Sequence, residues 1–136
     1  VAVDTPWGRI GLSTCYDLRF AELYRRLSDA GATILLVPAA FTVPTGRAHW
    51  EILLRARAIE SASWVIASAQ VGTHEDGRET WGHSLVIDPW GEIILDMGTE
   101  TGLAYADIDP ARVDEVRARI PVIGHRRAIP ESVRLS

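Results

Sequence analysis

Two apolar runs, Thr33–Val37 and Trp64–Ala69, constrain this chain more than any other feature of its sequence. Neither shows the strict polar–apolar alternation of a strand with one wet face. Each reads as a strand buried on both faces, which calls for a parallel sheet covered by helices. The neighbouring segments carry the helices such a sheet requires. Residues 20–29 place Phe20, Leu23, Tyr24 and Leu27 at i, i+3, i+4 and i+7, and Gly31 supplies the stop. Residues 47–62 read as a second helix, with Glu51 and Arg55 one turn apart, after an irregular loop at 38–46. Ahead of both, Ile10 and Leu12 alternate with Gly11 and Ser13 in a short strand that ends near Cys15. Strand–helix–strand–helix–strand makes the chain α/β, built on a parallel half-sheet.

The pattern changes after Gln70. A polar loop is expected at 74–79 around Gly77. Two strands follow, at 84–87 and 92–95, joined by Asp88-Pro89-Trp90-Gly91, whose Asp, Pro and Gly occupy the positions a type I turn favours. A further strand is predicted at 103–108. Asp109 then caps a helix with Pro110 at its first position, running to about Arg119 with Val113 and Val116 turned inward. Pro121 ends it, and the last stretch, 122–136, shows no periodicity.

Charge and cysteine content exclude several classes of function. A formal net charge of −4 argues against non-specific nucleic-acid binding, which needs a basic face. No run of about 18 apolar residues is present, so no membrane-spanning helix is expected. The single Cys excludes an internal disulfide and paired-Cys zinc spacing, and suggests a cytoplasmic setting. No metal or organic cofactor is implied, because Cys15 is the one soft ligand.

Cys15 itself admits two readings. A thiol at the end of a strand and the mouth of a helix gains from the helix dipole, which favours thiolate. Free backbone N–H groups there can hold an oxyanion. Only the thiolate attacks a carbonyl or nitrile carbon well. The competing reading is a small buried hydrophobe, the commoner fate of a lone Cys. Position alone leaves both open.

Resemblance separates them. The stretch Cys15-Tyr16-Asp17-Leu18-Arg19-Phe20 resembles the nucleophile motif of the nitrilase, or carbon–nitrogen hydrolase, superfamily. Four further stretches, in the same order, are similar to that family. They are Val37-Pro38-Ala39-Ala40-Phe41; the segment from His49 to Glu60; Trp81-Gly82-His83-Ser84 with Asp88-Pro89-Trp90-Gly91; and Ile120-Pro121-Val122 with His125-Arg126-Arg127. The branch resembled is that of the Nit-type amidases, which cleave ω-amides and deaminated glutathione. The resemblance implies an α-β-β-α four-layer sandwich of two sheets, of which residues 1–136 supply the C-terminal part as one partial domain. It implies a thiol amidase working through an acyl-enzyme, with a small-molecule amide as substrate. A nitrilase or N-carbamoyl amidohydrolase is the alternative within the superfamily, and a non-catalytic oligomerisation module the alternative outside it.

The family works with a Glu, a Lys and a Cys, and its Glu and Lys precede the Cys. Here no Glu precedes Cys15 and no Lys occurs anywhere, all fourteen basic residues being Arg. The chain begins at Val1, and its one Met is Met97. It therefore reads as the C-terminal half of a longer hydrolase, and the isolated piece is expected to be inactive.

Other candidate residues follow from position and resemblance together. The Tyr16 N–H would, by the resemblance, stabilise the oxyanion. Arg19, about one helical turn past the thiol, suits a bidentate pair with a substrate carboxylate. An internal pair with Asp17 or Glu22 competes for it. Phe41 and Thr42 follow the buried strand and are expected to line the wall near Cys15, as loops at strand C-termini do. Ordinary loop packing is their alternative. Glu51 and Glu60 read as ion-pair partners, His49 and His83 as structural rather than as half of a Cys–His dyad, and His125-Arg126-Arg127 as a solvated or intersubunit face. A homodimer is expected through the helices at 20–29 and 47–62. Trp50, Leu54 and Ala58 form one apolar row on the second helix and Ile52, Ala56 and Ile59 another, giving it more to bury than one sheet covers.

Overall fold

The computed structural model describes residues 1–130 of the chain. Its elements are β1 (Ala2–Thr5), β2 (Gly8–Leu12), α1 (Ala21–Asp29), β3 (Ile34–Leu36), α2 (Val43–Ser61) and β4 (Trp64–Ala67). They continue with β5 (Val71–Thr73), β6 (Glu79–Trp81), β7 (Leu85–Ile87), β8 (Ile93–Asp96) and α3 (Ala111–Arg119), while a 3-10 turn spans Cys15–Arg19. Residues 131–136, the end of the stretch without periodicity, lie outside the described residues. No helix among the described residues is long and apolar enough to cross a membrane.

Six strands form one mixed sheet in the order β1-β2-β3-β4-β7-β8. Strands β2, β3 and β4 are mutually parallel, as the apolar runs predicted, while β1, β7 and β8 pair antiparallel to their neighbours. Strand period divides the apolar residues cleanly between the two faces. Leu35, Val37, Val65, Ala67, Leu85 and Ile87 pack with Leu18, Tyr24 and Leu27 and with Trp50, Leu54 and Ala58 of α2. Ile34, Trp64 and Val86 turn the other way, against Val113 of α3. On that second face Ile10, Leu36 and Ile66 are only half-buried.

Several expectations need correction. Strand β1 was not predicted. Its hairpin turns through Pro6 and Gly8, whose φ of +131° suits glycine alone. The loop at 74–79 is the tip of a second hairpin, β5–β6, too short for its alternation to register. No strand forms at 103–108. Leu103 and Tyr105 are each 88% exposed, while Ala106 and Ile108 pack across the sheet face beside Val113. Helix α2 starts at Val43, inside the expected loop, because Pro44 in a first turn forfeits no helical hydrogen bond. The row Trp50, Leu54 and Ala58 is absorbed by the chain's own core rather than left for a partner.

Gly46 explains how α2 sits so close to β6. A Cβ there would lie 2.2 Å from Trp81 Cβ, so neither backbone nor ring can yield cheaply. Gly46→Ala is expected to destabilise the fold by about 2–3 kcal/mol, the scale of overpacking, despite the better helix propensity of Ala. Urea unfolding of the pair measures it, and an unchanged or raised midpoint would contradict this packing.

Candidate active site

The ladder between β2 and β3 continues past the strands. Ser13 N–H donates to Leu36 O (3.2 Å) and Cys15 N–H donates to Pro38 O (2.8 Å). The thiol therefore stands at the carboxyl end of a parallel strand, where α/β sheets gather their ligands. Cys15 then enters the left-handed region at φ +46°. For a side chain with a Cβ that conformation costs about 1–2 kcal/mol and persists only where surrounding contacts hold it.

Those contacts are identifiable. The Thr14 N–H donates to Asp17 Oδ2 (2.9 Å) and the Asp17 N–H returns to Thr14 O (3.0 Å), closing the first turn. Leu18 is fully buried beneath it. The thiol was expected at the mouth of the helix at 20–29, but this 3-10 turn intervenes and α1 begins six residues on, so the helix-dipole argument does not apply to Cys15. Its own N–H is also committed to Pro38. The Tyr16 N–H, by contrast, has no hydrogen-bond acceptor among the described residues.

Cys15 is half-buried and lines a cleft of about 710 Å³. The cleft lies beside the ends of β3 and β4, at Pro38, Ala39, Ser68 and Gln70, under the segment Gly102–Ala104. Tyr16, Arg19, Phe41 and Thr42 do not line it. Phe41 is buried with its ring 4.9 Å from that of Trp50. Thr42 sits at the start of α2, its hydroxyl 3.0 Å from Thr45 Oγ1. Tyr16, Phe41 and His49 gather instead around Arg19. Its guanidinium lies 5.4 Å from the Tyr16 ring and 5.1 Å from the Phe41 ring, with Nη1 3.3 Å from His49 Nδ1.

The alternative pairing of Arg19 does not form. Asp17 is occupied by Thr14, Glu22 pairs with Arg25 and Arg26, and no carboxylate reaches Arg19 among the described residues. Glu51 and Glu60 are ion-pair partners of Arg55 and Arg57. His83 stacks on Trp81 with Nδ1 3.1 Å from Asp96, and no Cys–His dyad is assembled. Arg126 is tied to Asp29 and to the carbonyl of Glu60. Among the described residues no three His, Cys, Asp or Glu side chains converge to hold a metal.

The sequence reading missed a buried polar group behind the thiol. The Tyr24 hydroxyl is 2.7 Å from Ser13 Oγ, which itself donates to Leu36 O. A tyrosine on the inward stripe of a helix normally presents only its ring, and nothing local marked Ser13 as its partner. Burial raises the Tyr24 phenol above its usual 10.0, although the Ser13 hydrogen bond and the nearby Arg57 oppose that. With the folded pKa raised, stability is intact below the unfolded value near pH 10 and falls as pH climbs toward the folded one. Wild type should lose stability more steeply above pH 10 than Tyr24→Phe. Urea midpoints at pH 9 to 11 check this, and parallel curves would refute it.

The family sequence described as carbon-nitrogen hydrolase matches residues 1–118. The deaminated glutathione amidase of Synechocystis sp. is 55% identical over 120 residues, covering 88% of this chain and 44% of that protein. The solved NitFhit protein of C. elegans superposes with a TM-score of 0.89 at 50% identity, over 93% of this chain and 31% of that one. A mutant amidase from Nesterenkonia sp. AN1, 29% identical with a TM-score of 0.77, covers 93% of this chain and 44% of that chain. Its structure shows covalent addition of the acetamide moiety of fluoroacetamide at the active-site cysteine. The chain thus spans less than half the length of these proteins. It belongs to the carbon–nitrogen hydrolase family and has the α/β fold of its nitrilase-like members.

Proposed function

We propose that this carbon–nitrogen hydrolase chain is the thiol-bearing C-terminal half of an amidase that cleaves a small non-peptide amide, with Cys15 as the nucleophile. The observation that carries the proposal is the strained turn itself. The only thiol of the chain is held at φ +46° at the end of β2, facing a cleft, beside an unclaimed Tyr16 N–H. The covalent adduct at the active-site cysteine of the Nesterenkonia amidase supports a covalent route.

In the proposed reaction the Cys15 thiolate adds to the amide carbon, and the carbonyl oxygen becomes an oxyanion that the Tyr16 N–H stabilises. The carbon–nitrogen bond then breaks, ammonia or an amine leaves with a proton, and a thioester remains. Water attacks the thioester, releasing the carboxylic acid and restoring the thiol. The family's Glu and Lys, which would relay the protons and share the oxyanion, have no counterpart before Cys15. The half-buried Ile10, Leu36 and Ile66 support a second layer on that sheet face, from which these groups would come.

Arg19 meets no carboxylate among the described residues and is backed by the Tyr16 and Phe41 rings. Although it stands outside the cleft lined by Cys15, this favours a substrate long enough to reach it with a carboxylate of its own. An ω-amide of a dicarboxylic acid has that chemistry, and the deaminated glutathione amidase of Synechocystis points to the same class. A cytoplasmic setting is part of the proposal and rests on the single free thiol. In the full-length protein, Cys15→Ala is expected to abolish ammonia release from ω-amides, a loss of about 10⁴-fold or more, with the thermal midpoint little changed. Stoichiometric alkylation of wild type, blocked by substrate, should accompany it. An active Ala variant would return the thiol to a packing role.

A homodimer through α1 and α2 is proposed as well. With Trp50 in the core, the candidate surface narrows to Ile52, 68% exposed, and Ile59, 52% exposed. A two-fold contact places each substitution in the interface twice. Ile52→Glu with Ile59→Glu should halve the mass seen by light scattering, and a folded variant that keeps the parent mass rules this face out.

A further inference from the structure

We infer that Arg57 is a positioning residue for the thiol turn, acting with Tyr24 through a buried network that grips the segment Ser13–Leu18 at both ends. The role rests on the reading of Cys15 as nucleophile.

Arg57 lies on α2 and is only 4% exposed. Its Nε and Nη2 both donate to Leu18 O, at 3.1 and 2.9 Å, and its Nη1 donates to both carboxylate oxygens of Glu60. The guanidinium also lies 5.4 Å from the ring of fully buried Tyr24. Because the Ser13 hydroxyl donates to Leu36 O, it accepts from the Tyr24 hydroxyl. Ser13 is two residues before the thiol and Leu18 three residues after it. One connected group of side chains from α1 and α2 therefore fixes both flanks of Cys15.

Burying a guanidinium is costly, and an apolar side chain of similar volume commonly serves stability as well. What an apolar residue cannot do is hold a carbonyl. Leu18 is the penultimate residue of the 3-10 turn, where carbonyls have no partner within the helix. A planar fork delivering two N–H groups to that one oxygen fixes the turn in direction as well as in distance. Cys15 needs this, since a left-handed backbone relaxes when its supports loosen. Relaxation would shift the thiol and the Tyr16 N–H together, and displacements of about 1 Å at reacting atoms are felt strongly in rate.

The chain contains its own control. Arg117 on α3 has the same carbonyl-binding chemistry, donating to Ala32 O, Ala62 O and Ser61 O, but it grips helix ends and touches no part of the thiol turn. A general stabilising role predicts that the two arginines behave alike; a positioning role predicts that they do not.

The experiment measures kcat, KM and the thermal midpoint of the full-length protein on an ω-amide of a dicarboxylic acid. Arg57→Lys keeps the charge but removes the fork, and is expected to lower kcat about 10- to 100-fold with KM within about threefold of the parent. Arg117→Lys should lower the midpoint while leaving kcat within about twofold. Tyr24→Phe, which keeps the ring and removes only the hydroxyl, should lower kcat by about five- to tenfold and decides the matter if Arg57→Lys does not fold. Folded Arg57→Lys with parental kcat overturns the role, as does an equal loss of kcat in Arg117→Lys. Cys15→Ala run alongside separates the two readings. If it stays active the nucleophile assignment fails; if it is dead while folded Arg57→Lys is unimpaired, only the positioning role fails.

Discussion

The position of the thiol depends on the register of β2 against β3, in which Ile10, Gly11 and Leu12 pair with Ile34, Leu35 and Leu36. Because the same ladder runs on through Ser13 and Cys15, backbone hydrogen bonds place the thiol before any side chain acts on it. A slip of one residue would exchange the two faces of β2 and move Cys15 to the wrong side. Gly11 protects that register from the helix side. A Cβ there would approach Leu35, Leu27 and Ala32 to 3.0–3.2 Å, so its absence lets α1 lie directly on the strand.

Helix α2 has two tasks that compete for the same face. Trp50, Leu54 and Ala58 bury apolar surface against the sheet, and the Trp50 indole N–H is satisfied by His83 O at 2.7 Å. Arg57, on the same side, carries a charge into that packing and is tolerated because its donors meet the Leu18 carbonyl and Glu60. Arg117 shows the cost more openly. With only carbonyls and a hydroxyl for partners, its pKa is lowered by burial, so its ion is held at some expense. Both arginines join elements that apolar contact alone would leave free to slide.

Long periodic signals were the most legible part of the sequence. In the stripe Phe20, Leu23, Tyr24, Leu27 the last three turn inward while Phe20, just ahead of α1, stays exposed, and the apolar runs at 33–37 and 64–69 reported burial that packing honoured as far as Val37 and Ala67. The Asp88-Pro89-Trp90-Gly91 turn was equally clear, and Gly91 N–H does close on Asp88 O at 2.9 Å. Short elements were not. Strands β5 and β6 have three residues each, too few for alternation to mean anything. The segment at 103–108 misled for the opposite reason: Ala106 and Ile108 are apolar because they cover the sheet face, not because they pair along an edge. Around Cys15 the motif drew attention to a turn that the structure shows to be strained, but the physics expected of it was wrong. A helix dipole was expected, whereas the turn is held by Asp17, Ser13 and Leu18, whose partners lie up to 39 residues away. Contacts at that separation leave no local pattern to read.

The strained thiol has four identifiable supports among the described residues. Pro38 O, Asp17, the Tyr24 hydroxyl and Arg57 come from residues 17–57, and each is committed to a backbone or hydroxyl partner rather than to the Cys15 sulfur. Geometry and proton transfer are therefore separable here. The chain fixes where the sulfur stands, and on the proposed reading a second layer over Ile10, Leu36 and Ile66 brings the groups that ionise it. Such a division has a physical advantage. A nucleophile preorganised by its own backbone and buried side chains needs no reorganisation when the charged partners approach. Their field then acts on a fixed target rather than being spent on ordering it.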